Sequence, residues 1–124
     1  MAKVLLATAD SGLFDIFSAE IEADGYEVAW AVNGQDAYEM TLAQAPELVL
    51  ADASLSVHTG LELCQLLRAD PDVPRDLPFV LMLDSDMGLH QLEKAGVTRT
   101  LPKSHDEHTL RDLLTDYLAG YRAR

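Results

Sequence analysis

The chain has 124 residues, 48% of them hydrophobic, which suits one domain able to bury roughly two-thirds of its unfolded surface without metal or disulfide staples. Nine basic residues against 21 acidic ones give a net charge of −12, which repels a phosphate backbone and argues against direct binding to nucleic acid or an anionic membrane. A single cysteine excludes a disulfide framework, no apolar run reaches the ~18 residues of a membrane span, and no charged leader precedes an apolar stretch, so the expected location is cytoplasmic.

Val4-Leu5-Leu6-Ala7 opens as a strand, and Leu13, Phe14, Phe17 and Ile21 then recur at helical spacing until Gly25 stops the helix. Tyr26-Glu27-Val28-Ala29-Trp30 alternates as a second strand. Asn33-Gly34 turns the chain, and Asp36 to Ala43 reads as a short helix ended by Pro46. Pro46-Glu47-Leu48-Val49-Leu50-Ala51-Asp52 follows, a mostly apolar strand that ends on a carboxylate. Gly60 to Arg68 is the next helix, with Leu61, Leu63, Leu66 and Leu67 around Cys64, which reads as core filler.

A loop carrying Pro71, Pro74 and Pro78 leads to the apolar strand Phe79-Val80-Leu81-Met82-Leu83, and a helix over Leu89 to Lys94 stops at Gly96. After a short strand from Arg99 to Leu101, Ser104-His105-Asp106-Glu107 has capping-box spacing. It opens a helix with Leu110, Leu113, Leu114, Tyr117, Leu118 and Tyr121 on one stripe. Five strands alternating with five helices imply a parallel sheet covered on both faces, a three-layer α/β sandwich spanning the chain as a single domain. An acid at the end of a buried parallel strand lies where open α/β sheets carry their sites, so Asp52 is the first candidate residue.

At this point the chain resembles the receiver domain of two-component response regulators over essentially its whole length. Gly25-Tyr26-Glu27-Val28 through Ala31-Val32-Asn33-Gly34 match the family's second strand and turn, and Pro46 to Asp52 match its third strand. Gly60-Leu61-Glu62-Leu63-Cys64 and Arg68-Ala69-Asp70-Pro71 match the helix that follows, with ungapped spacing from residue 1 to about residue 70. The resemblance implies a flavodoxin-like (βα)5 fold with a five-stranded parallel sheet in the order 2-1-3-4-5. It also makes Asp52 the phospho-acceptor position, a carboxylate nucleophile served by Mg²⁺.

Several family positions are changed. The acidic pair that holds the metal at the end of the first strand falls on Thr8 and Ala9. Asp10 lies one residue further on and supplies a weak Mg²⁺ site with Asp52 only if the first loop is one residue shorter; otherwise it caps the first helix with Ser11. The family's reporting hydroxyl falls on Leu83, with Ser85 the nearest alternative, and its aromatic switch position falls on Thr100. Lys103 matches the family's basic residue, although Pro102 precedes it and Ser104 follows. Ser56, His58 and Thr59 replace the usual proline, methionine and aspartate after the acceptor.

The leading expectation is a degenerate receiver without enzymatic activity, acting as a phosphorylation-independent protein-interaction module in which Asp52 and Lys103 form a structural ion pair and no cofactor is needed. Its partners would dock on the fourth helix, last strand and last helix, with His90, Thr98, Arg99, His108 and Arg111 as contacts. A histidine kinase or an output domain is the expected class of partner. One alternative is a working receiver, phosphorylated on Asp52 by a histidine kinase, that uses Asp10 and Ser85. Another is a flavodoxin-like small-molecule binder seating a phosphate on Thr8-Ala9-Asp10-Ser11-Gly12. His105 and His108 share a helical spacing but lack the four ligands of a structural zinc site, and Trp30 is expected to pack amphipathically, free to join an interface if exposed.

Overall fold

A computed structural model describes residues 2–83, 89–103 and 107–118. Ser85, the Ser104-His105-Asp106 part of the capping box, and Tyr121 lie outside the described residues. The elements run β1 (Lys3–Ala7), α1 (Ser11–Ala23), β2 (Glu27–Ala31), α2 (Gly34–Gln44), β3 (Leu48–Asp52), α3 (Gly60–Ala69), β4 (Phe79–Leu83), α4 (Leu89–Ala95), β5 (Arg99–Pro102) and α5 (Glu107–Leu118). All strands pair in parallel in the order β2-β1-β3-β4-β5, as the family resemblance implies.

Period-two alternation sorts the central strands between two cores. Val4, Leu6, Leu48, Leu50, Val80 and Met82 face α1 and α5, meeting Phe17, Ile21, Leu110, Leu113 and Leu114. Leu5, Ala7, Val49, Ala51, Phe79 and Leu81 face α2, α3 and α4, meeting Ala37, Leu63, Cys64, Leu67 and Leu92. Each of β1 and β3 is covered on both sides, which explains why their sequences read as continuous apolar runs.

Several element boundaries shift by one or two residues from the sequence reading, and two of the shifts have a clear cause. The second strand starts at Glu27, because the Tyr26 amide closes the end of α1 by donating to the Ile21 carbonyl, while the buried Tyr26 hydroxyl donates to the carbonyl of Leu118. The second helix starts at Gly34, two residues early, because Asn33 is its N-cap: the side-chain oxygen accepts from the Asp36 amide at 2.8 Å. The same Asn-Gly pair that reads as a turn thus opens a helix.

Parallel pairing aligns Ala7 with Ala51, so the residues that leave the ends of β1 and β3 lie side by side at the carboxyl edge of the sheet. The strand order reverses at β1, and this edge is therefore the crevice of the topological switch point. Thr8 and Asp52 occupy it.

Candidate functional site around Asp52

Asp52 ends β3 on the face shared with Leu48 and Leu50 and is 6% exposed. A carboxylate that deep needs partners for both oxygens. Oδ1 takes the Lys103 ammonium at 2.6 Å and the amide of Ser54 at 2.8 Å. Oδ2 takes the hydroxyl of Thr8 at 3.1 Å. The Thr8 oxygen in turn accepts the Asp10 amide at 3.1 Å, which orients its proton toward Asp52.

Burial pushes the Asp52 carboxyl up, but the hydrogen bond and charge of Lys103 and the Ser54 amide outweigh it and hold the group below the ordinary carboxylate range. Lys103 reaches the site because its amide donates to the Leu83 carbonyl, extending the β4–β5 pairing by one residue; its ammonium also lies 3.4 Å from the Ser54 hydroxyl. The lysine and aspartate therefore tie the loop after β5 to the end of β3.

The candidate residues divide by position. Asp52, Lys103 and Thr8 form one cluster, whereas Asp10 does not join it. Asp10 is the N-cap of α1, its carboxylate accepting from the Leu13 amide at 3.1 Å, and it shares with Lys103 only the mouth of a groove of about 480 Å³ along α1. Of the two roles open to Asp10, the helix cap is the one observed, although Ser11 is already the first helical residue. Ala9 is exposed and carries no ligand atom on its side chain. Leu83 packs partly buried against the α2–α3 core, and Thr100 is exposed on β5.

Thr8 is the residue that sequence reasoning undervalued. Its identity reads as a lost metal acid; its bond to Asp52 follows from the β1–β3 register, which places the two side by side. Trp30 locks Thr8 from the other side, donating from Nε1 to the Thr8 carbonyl at 2.8 Å while its ring stacks on Phe14 at 4.3 Å. Trp30 is nonetheless 39% exposed.

The loop after Asp52 is built for close approach. A Cβ on Gly60 would lie 2.6 Å from the Asp52 carbonyl oxygen and 2.6 Å from Leu81 Cδ1, so only glycine lets α3 start against the end of β3. Thr59 caps that helix in a reciprocal box with Glu62, whose carboxyl is lowered by the Thr59 backbone and side-chain hydrogen bonds. Gly34 donates to the Ser56 carbonyl at 3.0 Å, and His58 Nε2 meets Gln35 Oε1 at 3.1 Å, joining this loop to the start of α2.

The resemblance to receivers implies Mg²⁺ at this edge, yet the donors present here do not fit the ion. Magnesium needs about six oxygens in near-octahedral array, with carboxylates supplying charge. Among the described residues no three His, Cys, Asp or Glu side chains gather in a metal-binding group, and both Asp52 oxygens are engaged by protein donors. The loop offers no seat for a phosphate either, because the Asp10 carboxylate already occupies the α1 N-terminus and Thr8 turns toward Asp52.

Solved structures share this architecture at low sequence identity. The chemotaxis response regulator CheY4 of Vibrio cholerae superposes with a TM-score of 0.87 at 23% identity, covering 95% of this chain and 99% of that one. The signal receiver domain of a histidine kinase from Syntrophus aciditrophicus gives 0.88 at 19%, covering 100% and 95%. The receiver domain of a sensor histidine kinase from Pseudomonas aeruginosa, which carries a magnesium ion in its active-site cleft, gives 0.85 at 20%, covering 95% and 98%. No helix among the described residues is long and apolar enough to cross a membrane. Residues 4–115 match the family model of the response regulator receiver domain, and the chain belongs to that family of two-component signalling proteins.

Proposed function

We propose that this receiver domain is degenerate and works as a phosphorylation-independent protein-interaction module in the cytoplasm, without enzymatic activity or a resident cofactor. The observation that carries this reading is the donor set on Asp52, Lys103 and Ser54 on Oδ1 and Thr8 on Oδ2, with no metal-binding cluster of side chains beside it among the described residues. A phosphoryl group arriving at Asp52 must compete with these donors, and a metal must neutralise the charge that gathers there. In this chain Thr8 and Ala9 stand where the family carries metal acids, and Asp10 is spent on its helix. The ion pair instead joins β3 to the loop after β5 and holds the carboxyl edge of the sheet in one arrangement.

The surface offered to partners is the face made by α4, β5 and α5. His90, His108 and Arg111 are exposed on it. Arg99 is engaged with Asp116 at 3.0 Å, an exposed pair worth little, so it remains free to exchange partners. Thr98 contributes less than the other contacts, because its hydroxyl accepts from the Phe79 amide and from Arg68. A histidine kinase or an output domain is the class of partner that a receiver scaffold would meet there.

Incubation with acetyl phosphate and Mg²⁺, followed by intact-mass spectrometry, tests the reading. The expected result is an unmodified chain under conditions that phosphorylate an active receiver. A phosphoryl adduct lost on Asp52→Asn would instead establish a working receiver that accepts phosphate from a histidine kinase.

A further inference from the structure

At the opposite end of the sheet from Asp52, where β3 and β4 begin, a cavity of about 250 Å³ opens between the end of α2 and the loop that joins α3 to β4. Its floor is apolar: Val73 and Leu77 are nearly buried there, and Leu42 stands at the mouth 42% exposed. Its rim is acidic. Glu47, Asp72 and Asp76 line it, and none of its described lining residues is a lysine, arginine or histidine.

The walls are held in place before anything binds. Ala45 ends α2 in the left-handed region at φ 47°, and Pro46, Pro74 and Pro78 each have φ fixed by their rings. The loop is pinned by the Val73 amide on the Asp70 carbonyl and the Leu77 amide on that of Pro74, both at 3.2 Å, and by Arg68 Nη1 on the Arg75 carbonyl at 3.2 Å. The Tyr38 hydroxyl donates to the Asp70 carboxylate and ties the same loop to α2. A groove of fixed shape spares a ligand the cost of ordering it.

Size and charge together select the occupant. Small-molecule sites occupy about 300–1,000 Å³ and bury most of their ligand, which this cavity is too small to do. It has room for one large apolar side chain of the kind that anchors a protein interface, with the carboxylates placed to meet cations on the neighbouring residues. We propose that this groove docks a segment of a partner protein in which a single large apolar side chain is flanked by lysine or arginine. The net charge of −12 draws such a segment in and makes its association salt-dependent.

The test uses the whole ¹⁵N-labelled chain and a series of short Lys/Arg-rich peptides that each carry one Leu, Ile, Met, Phe or Trp anchor. At least one member is expected to move the amide resonances of Leu42, Val73 and Leu77 and to bind roughly tenfold more tightly than its alanine-anchor counterpart. The exposed substitutions Asp72→Asn and Asp76→Asn, combined in one variant that keeps the native spectrum, should weaken it by a similar factor. Absence of binding across the series at low salt overturns the proposal. So do shifts scattered over the acidic surface, or affinity indifferent to the anchor or to the two aspartates. Self-association of the unliganded chain through the same resonances assigns the groove to a second copy and equally overturns it.

Discussion

Asp52 has a donor on each oxygen, and the three donors are not equivalent. Lys103 supplies charge, so Lys103→Met should destabilise the fold by about 2–3 kcal/mol at neutral pH, below the ~3–5 kcal/mol of a fully buried pair because 17% of the lysine side chain reaches water. Thr8→Val strips the neutral donor on Oδ2 together with the acceptor of the Asp10 amide and should cost roughly 1–2 kcal/mol. The pH dependence separates the two effects. In the native chain the Asp52 carboxyl is held low, so its contribution is complete above the unfolded value of about 3.9 and is lost as pH falls through the folded one. Without Lys103 burial is opposed only by the Ser54 hydrogen bonds, so the folded carboxyl rises and the stability it loses on acidification shrinks. Urea midpoints measured from about pH 3 to 7 should therefore show the gap between wild type and Lys103→Met closing as the solution becomes acidic. Both Asp52 and Lys103 were legible in the sequence, since one ends an apolar strand and the other matches a family position. The Thr8 bond was not, because a hydroxyl carries no pattern of its own and finds its acceptor only through strand register.

Among the elements, the connection from β3 to α3 shows the strongest local constraint. Val57 is β-branched, sits at φ 68° and is 69% exposed, so it bears left-handed strain with little packing in return. Val57→Gly should raise stability by about 1 kcal/mol in chemical denaturation. Gly60→Ala should lower it by roughly 1–3 kcal/mol, because the new methyl meets the Asp52 carbonyl and Leu81. The start of α3 at Gly60 follows from its apolar stripe in the sequence, and the Thr59–Glu62 capping box that fixes it is a finding of the structure. The sequence places the start of α2 at Asp36 and the structure at Gly34, because Asn33-Gly34 satisfies both a turn and an N-cap and only the Asp36 amide on the Asn33 side chain decides between them. Val57 gives no sequence signal at all, since nothing in its neighbours announces a positive φ.

For the whole molecule, two cores on either side of one sheet make local opening at the centre costly. Cys64 sits in the α3 face of that core, its thiol pushed up to about 11 by burial and directed at the Ala95 carbonyl at 3.2 Å. It should resist alkylation at pH 8 in the native state and react at a rate that follows global unfolding across a denaturant series. The alternation of strands and helices was legible from periodicity, because each element carries its own apolar face. The order 2-1-3-4-5 was not, since periodicity says nothing of which strands are neighbours, and it came from the family resemblance. The same order places Thr8 beside Asp52, which on the proposed function closes the acceptor position with protein donors. Beryllofluoride, which mimics a phosphoryl group on a receiver aspartate, probes that closure directly. In a ¹⁹F NMR titration with Mg²⁺, a closed Asp52 leaves only the resonances of free fluoride species, whereas a bound resonance that disappears on Asp52→Asn would contradict it.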